Sequence, residues 1–569
     1  MNPSSPGALP RASAQYHGEV FTRRWVVEIL LDLVEYTADR DLGTMRLVEP
    51  SCGNGSFLGA AVERLIDSVQ RRNRDLIELG DAIRAYDLRS SYVAATRSIC
   101  RNLLVKAGMD ENAASLLAGR WVRHADFLLP GSGERSARRG ESGMSADSGS
   151  ELVDVVVGNP PYIRYDDLPD SLSTRYRSAW QTMRGRGDIY IGFIERSLGI
   201  LKEGGKLGFI CADRWMRNQY GSALRELIAQ KYSVEHVWTM HDVDVFESQV
   251  SAYPAITVLA NQPQMSAVVA DTTTAFGPSG ASALVKAMKE RERAEFIGVG
   301  VKAYRLSGWF DGSELWPTGS PARLALIARL NDQFRPLHDP KTGTKVSIGV
   351  ATGADKVYVT KDANAAEQDR MLPLAMSQDL ASGEFNWQGN YLVNPWSENG
   401  NLVNLRDYPR MAARLEKEPK IRERFIAKRD PSSWYRTIDK VQAGLVDRPK
   451  LLMQDMKTTI HPVLEAGGFY PHHNLYYIIS DFWDMETLGG LLLSRVAQAF
   501  VEAYCVRMRG GTLRFQAQYL KRIRVPSVEI VDTKTGEALR RAFRSRDVGA
   551  ATEAAGVAYG IDIEEYELV

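Results

Sequence analysis

The chain has 569 residues, of which 44% are hydrophobic and 25% charged, as expected for a globular protein of two or more domains. Its formal net charge is only +1, so the overall composition does not indicate a nucleic-acid-binding protein, and any basic surface must be local. Four scattered cysteines, without a CxxC pair or a Cys/His cluster, argue against a disulfide framework or a metal site and fit a reducing cytoplasm. The sequence shows neither a signal-peptide pattern nor an apolar run approaching the roughly 18 residues of a membrane span.

Helix and strand patterns alternate from residue 20 to about 260. In chain order the predicted elements are a helix at WVVEILLDLVEY, a strand at MRLVEP, a helix at SFLGAAVERLIDSV, a strand at AIRAYDL, a helix at SYVAATRSICRNLLVKAG, a strand at VDVVVGNPPY, a helix at DIYIGFIERSLGILKEGG, a strand at KLGFICADRWM, a helix at ALRELIAQKY, and strands at VEHVWTM and PAITVLA. Alternation of helices with almost continuously apolar strands predicts an α/β fold, with a parallel sheet covered by helices on both faces.

A Gly-rich turn follows the first predicted strand in LVEPSCGNGSFL, where Gly53, Asn54 and Gly55 precede the next helix. Glycines at such a turn let a ligand approach the backbone, and the first turn of the helix offers free N–H groups. Phosphate binding is not predicted, because a third glycine and a GK[ST] sequence are both missing. The two glycines are equally compatible with a purely structural turn.

Carboxylates end the strands that follow. Asp87 ends AIRAYDL, where a carboxylate can accept hydrogen bonds from both hydroxyls of a ribose. Asp126 stands at an apparent strand end beside Phe127. A pocket with amides, acids and aromatics but no phosphate-binding features suits a positively charged adenosine ligand, and S-adenosyl-L-methionine is such a ligand. Taken singly, each acid is also compatible with a helix cap or a solvated charge.

Six segments then occur in a recognisable order: FTRRWVVEIL, VEPSCGNGSFL, AYDL, ADFL, GNPPY and DVFESQVSAYPAITVL. In this order the chain resembles the gamma-class adenine-N6 DNA methyltransferases, similar to the TaqI-like and Eco57I-like modification methylases, over nearly all of residues 16–530. The resemblance implies a Rossmann-like, S-adenosylmethionine-dependent methyltransferase domain followed by a mixed α+β TaqI-like target-recognition domain. It also implies double-stranded DNA as the substrate, with the N6 amine of a flipped adenine as the acceptor.

The resemblance and the composition together predict the domain organisation. The expected segments are a flexible tail at 1–15, a methyltransferase domain at 16–262 with a flexible Gly/Ser/Arg-rich insertion at 130–151, a linker region at 263–298, a target-recognition domain at 299–530, and a C-terminal extension at 531–569. Basic and aromatic residues alternate in FIAKRDPSSWYRTI and in RMRGGTLRFQAQYLKRIRVP, where Phe515 and Tyr519 lie among the cations. Lysines and arginines there are expected to contact DNA phosphates.

The motif from Asn159 to Tyr162 suits the chemistry that the resemblance implies. The exocyclic nitrogen of adenine is a poor nucleophile, because its lone pair is delocalised into the ring. The Asn159 side-chain oxygen and the Pro160 carbonyl can accept hydrogen bonds from the two N–H bonds and free that lone pair. Pro160 and Pro161 have fixed φ angles that hold the carbonyl in place. Tyr162 offers a ring on which the base can stack.

Three further roles come from the resemblance. Phe246 is the second ring, opposite Tyr162, although a core aromatic is an equally simple interpretation. Thr22 helps to close over the methionine moiety of the cofactor. Glu49 neutralises the cofactor's amino group, since a positive charge in a partly buried site needs such a partner. The other expected cofactor-binding residues are those of the Gly-rich turn and the strand ends: Gly53, Asn54, Gly55, Asp87, Asp126 and Phe127.

Other functions remain open at this point. NPPY also occurs in methylases that act on RNA or on protein glutamines, and a partner-dependent recognition subunit would keep the same overall pattern. From the short segment before the first motif we expect no fused nuclease. We therefore expect a modification-only enzyme, monomeric and cytoplasmic as in bacteria, with a separate cognate restriction endonuclease.

Overall fold

The computed structural model divides the chain into two compact units, with the boundary between Pro317 and Thr318. The predicted tail at 1–15 and the predicted insertion at 130–151 lie outside the described residues. The structure describes residues 20–129, 152–185, 187–248, 253–507 and 512–568.

The first unit alternates helices and strands, joined in places by short 3-10 turns. Its elements are α1 (Arg24–Leu33), β1 (Leu47–Glu49), α2 (Ser56–Arg71), β2 (Ile83–Asp87), α3 (Ser90–Lys106), α4 (Glu111–Trp121), β3 (Val122–His124), β4 (Val153–Gly158), α5 (Asp170–Ala179), α6 (Tyr190–Gly199), β5 (Leu201–Ala212), α7 (Arg214–Arg217), α8 (Ser222–Lys231), β6 (Ser233–Thr239), β7 (Pro254–Ala260), β8 (Ala267–Thr272), α9 (Pro278–Met288), β9 (Glu295–Gly298) and β10 (Val301–Leu306).

Within the described residues these strands form one ten-stranded sheet in the order β3-β2-β1-β4-β5-β7-β6-β8-β10-β9. The predicted α/β fold is confirmed, and from β3 to β5 all neighbours are parallel. The prediction of a wholly parallel sheet is wrong, because β7 runs antiparallel to both β5 and β6. No helix is found among the described residues between β6 and β7, and antiparallel neighbours, unlike parallel ones, need no crossover helix.

The linker expected at 263–298 is also corrected by the structure. These residues contain β8, α9 and β9, and the sheet continues through β10. β8 pairs parallel to β6 over His236–Thr239 and buries the four residues from Ala267 to Ala270. Its apolar run is short and α9 is built from small residues, so the local pattern was weak, and pairing with the existing sheet decided the structure.

The second unit contains shorter elements. They are α10 (Pro321–Gln333), β11 (Arg335–Pro336), β12 (Lys345–Ile348), α11 (Asp355–Tyr358), β13 (Val359–Thr360), β14 (Met371–Ala375), β15 (Tyr391–Val393), α12 (Pro409–Glu416), α13 (Phe425–Arg429), β16 (Lys450–Gln454), β17 (Met456–Lys457), β18 (Val463–Glu465), β19 (Tyr470–Pro471), β20 (Leu475–Ile479), α14 (Met485–Leu493), α15 (Arg495–Tyr504), β21 (Val506–Arg507), β22 (Leu513–Arg514), α16 (Ala517–Leu520), β23 (Arg524–Val525), α17 (Thr533–Ser545) and α18 (Val548–Tyr559).

Two four-stranded sheets, β12-β20-β16-β18 and β13-β15-β14-β19, form the centre of this mixed α+β unit. Helices α17 and α18 pack on α14, so the predicted C-terminal extension belongs to the same compact unit. Phe515 and Tyr519 are buried, and the prediction that they interleave with a DNA-contacting surface is corrected to a role in the core.

None of the helices in the described part of the chain is long and apolar enough to cross a bilayer. All four cysteines are buried as free thiols.

Candidate active site

The order of the strands places two predicted motifs side by side. From β1 the chain moves outward to β2 and β3, and it returns to start again at β4 on the other side of β1. In an open α/β sheet, ligands bind outside the carboxyl ends of the strands at such a switch point. A cavity of about 380 Å³ opens there. Nine predicted site residues line it: Thr22, Glu49, Gly53, Asn54, Asp87, Asp126, Phe127, Asn159 and Pro161.

The Gly-rich turn after β1 needs its glycines for conformation and for space. Gly53 has φ +50° and Gly55 has φ +82°, in the left-handed region that side chains disfavour. A Cβ atom on Gly55 would lie 3.1 Å from both Thr96 Oγ1 and Ile99 Cδ1. The Thr96 hydroxyl also donates to the Gly53 carbonyl at 3.0 Å. Gly55 therefore shapes the turn from behind, whereas Gly53 faces the cavity.

The side chains of Asp87 and Asn54 are fixed by hydrogen bonds from backbone N–H groups near the Gly-rich turn and the strand end. The Gly53 N–H donates to Asp87 Oδ2 at 2.9 Å, and the Arg89 N–H donates to Oδ1 at 2.8 Å. Asn54 Oδ1 accepts from the Ser56 N–H at 3.2 Å and from its hydroxyl at 2.5 Å, at the start of α2. Each Asp87 oxygen keeps a further lone pair, so this carboxylate can accept from two hydroxyls of a ligand in a fixed orientation.

Glu49, at the end of β1, is 1% exposed. The Leu58 N–H donates to its carboxylate, but Oε2 has no hydrogen-bond partner among the described residues. Burial first, and then the negative charge of Asp87, raise the Glu49 pKa well above its usual value. A buried carboxyl group with an unpaired oxygen is costly in the protein alone and would be stabilised by a cationic ligand in the cavity.

Asp126 and Phe127 follow β3 on the other side of the cavity. Asp126 Oδ1 accepts from the Leu128 N–H at 2.8 Å, and Oδ2 accepts from the Tyr176 hydroxyl at 2.9 Å. Phe127 is buried and stacks on Phe193, with ring centroids 5.6 Å apart and an interplanar angle of 24°. Asp126 thus presents a fixed acceptor to the cavity, and Phe127 supports the wall behind it.

Asn159 follows β4 with its amide orientation fixed. Its Nδ2 donates to the Val20 carbonyl at 2.9 Å and to Thr22 Oγ1 at 3.2 Å. A backbone carbonyl can only accept, so this contact identifies the nitrogen side of the amide. The opposite atom, Oδ1, is buried and has no partner within the described residues. Thr22 therefore orients Asn159 as well as lining the cavity, a contact that the sequence did not predict.

A short backbone pairing brings Phe246 next to Thr22. Thr22 and Phe246 form an antiparallel bridge. The Arg23 N–H donates to the Val245 carbonyl at 2.9 Å, and Arg23 Nε donates to the Phe246 carbonyl at 2.9 Å. The loop between β6 and β7 is thus tied to the segment that orients Asn159.

The ring of Tyr162 contacts two others. Its centroid lies 6.4 Å from that of Tyr190 and 6.3 Å from that of Phe246, and both pairs meet edge to face. The Tyr162 hydroxyl donates to the Ile210 carbonyl at 3.3 Å. The predicted proximity of Tyr162 and Phe246 is present, but the two rings contact each other directly. A base can enter between them only if Phe246, which is 7% exposed, moves away.

The sequence did not predict the wall formed by the segment after NPPY. An isolated antiparallel bridge ties this segment to the residues just before α6, where the Tyr165 N–H donates to the Gly187 carbonyl at 3.0 Å and the Ile189 N–H to the Ile163 carbonyl at 2.9 Å. A Pro-Asp helix start in PDSLSTRYRSAW was the available signal for the helix, α5. The cavity-lining residues of this segment are Ile163, Asp167, Leu168, Pro169, Leu172 and Tyr176.

Comparison with known proteins shows which family the chain resembles. The model of the Eco57I restriction-modification methylase family matches residues 135–246, which include Asn159 and Phe246. The chain is 41% identical to the type II methyltransferase M.XhoI of Xanthomonas vasicola, over 97% of this chain and 98% of the relative. It is 42% identical to the type II methyltransferase M.PaeR7I of Pseudomonas aeruginosa, over 96% and 92% respectively.

A solved structure with a similar fold is the type IIL restriction-modification enzyme MmeI in complex with DNA, at a TM-score of 0.61 and 11% identity, covering 96% of this chain and 74% of that one. That likeness concerns the fold alone. Family membership rests on the relatives of about 40% identity, which match nearly full length. The chain therefore belongs to the type II DNA methyltransferases of restriction-modification systems, enzymes that take their methyl group from S-adenosyl-L-methionine.

Proposed function

We propose that the chain methylates the N6 amine of an adenine that is flipped out of duplex DNA. In this proposal it is the modification enzyme of a restriction-modification system, acts as a cytoplasmic monomer, and leaves DNA cleavage to a separate endonuclease. The observation that carries the proposal is the unpaired Oδ1 of Asn159, in an amide of fixed orientation on the wall of the same cavity as Glu49 and Asp87.

An oriented acceptor is what an amino-group acceptor substrate requires. Asn159 Oδ1 and the Pro160 carbonyl accept hydrogen bonds from the two N–H bonds of the target amine, so its lone pair turns toward the methyl donor. Because Nδ2 is already occupied by Val20 and Thr22, Asn159 does not have to reorganise when the base arrives. Such preorganisation lowers the barrier through electrostatics and geometry.

The cavity residues fit S-adenosyl-L-methionine. When bound, the cofactor supplies a methyl group already activated on a sulfonium, so no nucleophilic residue is needed. Glu49 compensates the charge of its amino group with the oxygen that is otherwise unpaired. Asp87 accepts from the ribose hydroxyls, and Asp126 accepts from the adenine amine. Gly53 keeps the backbone close to the ligand, and Thr22 closes the end of the cavity nearest Asn159.

The rings of Tyr162 and Phe246 hold the flipped base. Extruding a base from a duplex costs a few kcal/mol, and stacking in the protein offsets part of that cost. In the structure the two rings are edge to face at 6.3 Å, so we infer that base entry displaces Phe246 together with its loop. The backbone pairing of Thr22 with Phe246 links this movement to the orientation of Asn159.

The second unit is proposed to bind the duplex. Between residues 401 and 450 there are 13 lysines and arginines against 7 acidic residues. Several of these cations are exposed near α12 and α13: Lys417, Lys420, Arg422, Lys428 and Arg429. Contacts of such cations with phosphates provide affinity that falls steeply with salt and carries little sequence information.

One experiment tests the function directly. The full chain is incubated with plasmid DNA and with S-adenosyl-L-methionine labelled in its methyl group, and the DNA is then sequenced by a method that detects N6-methyladenine. We expect one adenine in a fixed sequence context to be modified. Methyl groups on cytosine, or incorporation only into RNA or protein offered in parallel, would overturn the proposal.

A further inference from the structure

Tyr176 makes a hydrogen bond at the wall of the cavity that has no part in the reaction proposed above. This residue lies on α5 and is 2% exposed. Its hydroxyl donates to Asp126 Oδ2 at 2.9 Å, and both residues line the cavity. The other oxygen of Asp126 accepts from the Leu128 N–H at 2.8 Å. The carboxylate is therefore fixed from both sides, once by backbone and once by a side chain.

The direction of this hydrogen bond is set by chemistry. The Tyr176 hydroxyl donates the hydrogen bond and Asp126 Oδ2 accepts it. Burial first, and then the charge of Asp126, raise the Tyr176 pKa, so the hydroxyl keeps its proton at working pH. Asp126 in turn is held as an acceptor on the wall of the cavity.

Such an acceptor distinguishes between purines. The amine at position 6 of adenine donates a hydrogen bond, whereas the oxygen at position 6 of hypoxanthine accepts one. A carboxylate held in one rotamer favours the amine and opposes the oxygen by lone-pair repulsion. A carboxylate free to rotate about Cβ–Cγ could avoid the oxygen and be hydrated instead, so its discrimination would be weaker.

We propose that Tyr176 is a positioning residue that makes the cofactor pocket selective for adenosyl over inosyl ligands, by fixing Asp126 as an acceptor. The inference rests on the proposed assignment of Asp126 to the cofactor's adenine. It adds a residue from α5, in the segment that follows the NPPY motif, to the recognition of the cofactor.

The test compares S-adenosylhomocysteine with S-inosylhomocysteine by isothermal titration calorimetry on the full chain. The variant is Tyr176→Phe, which keeps the ring and removes the hydroxyl. We expect the Kd for the adenosyl ligand to rise about 5- to 10-fold, the order of one ordinary hydrogen bond. The Kd for the inosyl ligand should change by less than about 2-fold, so the selectivity ratio falls.

Tyr165 provides a matched control. It is also a buried tyrosine of the same segment, but its hydroxyl has no hydrogen-bond partner among the described residues, and the residue does not line the cavity. Tyr165→Phe should therefore leave both Kd values unchanged. A thermal melt of each variant shows whether the fold is kept.

The outcomes separate the inference from the function on which it rests. Equal weakening of both ligands by Tyr176→Phe would mean that the hydroxyl only packs the wall, and the inference would be overturned. A wild-type chain that binds both ligands equally would overturn the assignment of Asp126 itself. Neither result depends on which base of DNA is methylated, and that is measured separately by sequencing.

Discussion

Two buried glutamates, one in each compact unit, have opposite surroundings. Glu465 of the second unit pairs with Lys450 Nζ, and its other oxygen accepts from the Gly467 N–H at 2.6 Å. Lys450 has a fully buried side chain and also donates to the carbonyls of Val446 and Phe469, each at 3.2 Å. Glu49 of the first unit is equally buried, but one of its oxygens has no partner within the described residues.

The difference separates a structural charge from one reserved for a ligand. A buried carboxylate that is fully paired is compensated inside the protein. One that is left unpaired costs folding free energy, about 1–3 kcal/mol for a polar group and more when it is charged. Glu49 lies at the wall of a cavity, where a cationic ligand can pair with its carboxylate and offset this cost. For these two glutamates, the unpaired oxygen at a cavity wall distinguishes the one expected to bind a ligand from the one that is paired within the protein.

Asn159 extends the comparison, because its Oδ1 is the other unpaired polar atom in the proposed chemistry. We expect Asn159→Ala to lower kcat about 10³-fold, roughly 4 kcal/mol of barrier, as for loss of one preorganised group in an active site. Cofactor affinity should stay within about 3-fold, since Glu49 and Asp87 are untouched. Single-turnover methylation and calorimetry measure the two effects. Turnover at the normal rate in this variant would show that the amide has no acceptor role.

Removing one partner of the Lys450–Glu465 pair should destabilise the protein rather than inactivate the enzyme. Lys450→Met leaves the Glu465 charge buried without its partner, so the second unit should lose about 3–5 kcal/mol of unfolding free energy. Chemical denaturation of the full chain, followed as separate transitions, measures this loss. The double variant Lys450→Met/Glu465→Leu removes both charges and should recover most of it. A loss below about 1 kcal/mol in the single variant would contradict the structural role given to the pair.

Neutralising Glu49 should weaken cofactor binding without destabilising the protein. Glu49→Gln removes the charge while keeping the size of the side chain, so the cofactor-free protein should be at least as stable as wild type. Affinity for S-adenosyl-L-methionine should fall about 100-fold, or roughly 2.7 kcal/mol, because its amino group loses an ionised partner. Calorimetry and a thermal melt of the same sample give both values. Unchanged affinity would remove Glu49 from the cofactor site.

The same glutamate also predicts a pH dependence. Its pKa is raised above the usual 4.5, so in the cofactor-free protein its contribution to stability is fully present below about pH 4.5 and is lost as the pH rises through the raised pKa. Binding of a cationic amine favours the ionised form, so it releases a proton and strengthens with pH over that window. Titrations in two buffers of different ionisation enthalpy count the proton. Glu49→Gln should release none from this position.

The sequence predicted those parts of the site that a contiguous motif carries to a strand end. Gly53 follows a predicted strand, Asp87, Asp126 and Asn159 lie at predicted strand ends, and the carboxyl ends of parallel strands share one edge of the sheet. Their arrival at one cavity needed only the strand order that this fold class implies. Local pattern and global topology agreed at these positions.

What the sequence missed depends on contacts between distant segments. Tyr176 reaches Asp126 only because the segment after NPPY pairs back near Ile189, and no local pattern encodes that pairing. The same holds for Thr22 as the acceptor of Asn159, and for β8, whose short apolar run was mistaken for part of a linker. In each case a tertiary contact decides a role that propensity leaves undetermined.

The smallest expected effect comes from a comparison of two pairs of aromatic rings. Phe127 and Phe193 are stacked and buried as a fixed wall, whereas Tyr162 and Phe246 meet only edge to face and are proposed to separate around a base. Phe246→Ala should weaken stacking of the flipped base by about 1–3 kcal/mol while cofactor binding is kept. With 2-aminopurine at the target position, the fluorescence gain on binding should change, because the extruded base loses one ring contact. Identical fluorescence and identical DNA affinity in the variant would show that Phe246 only packs in the core.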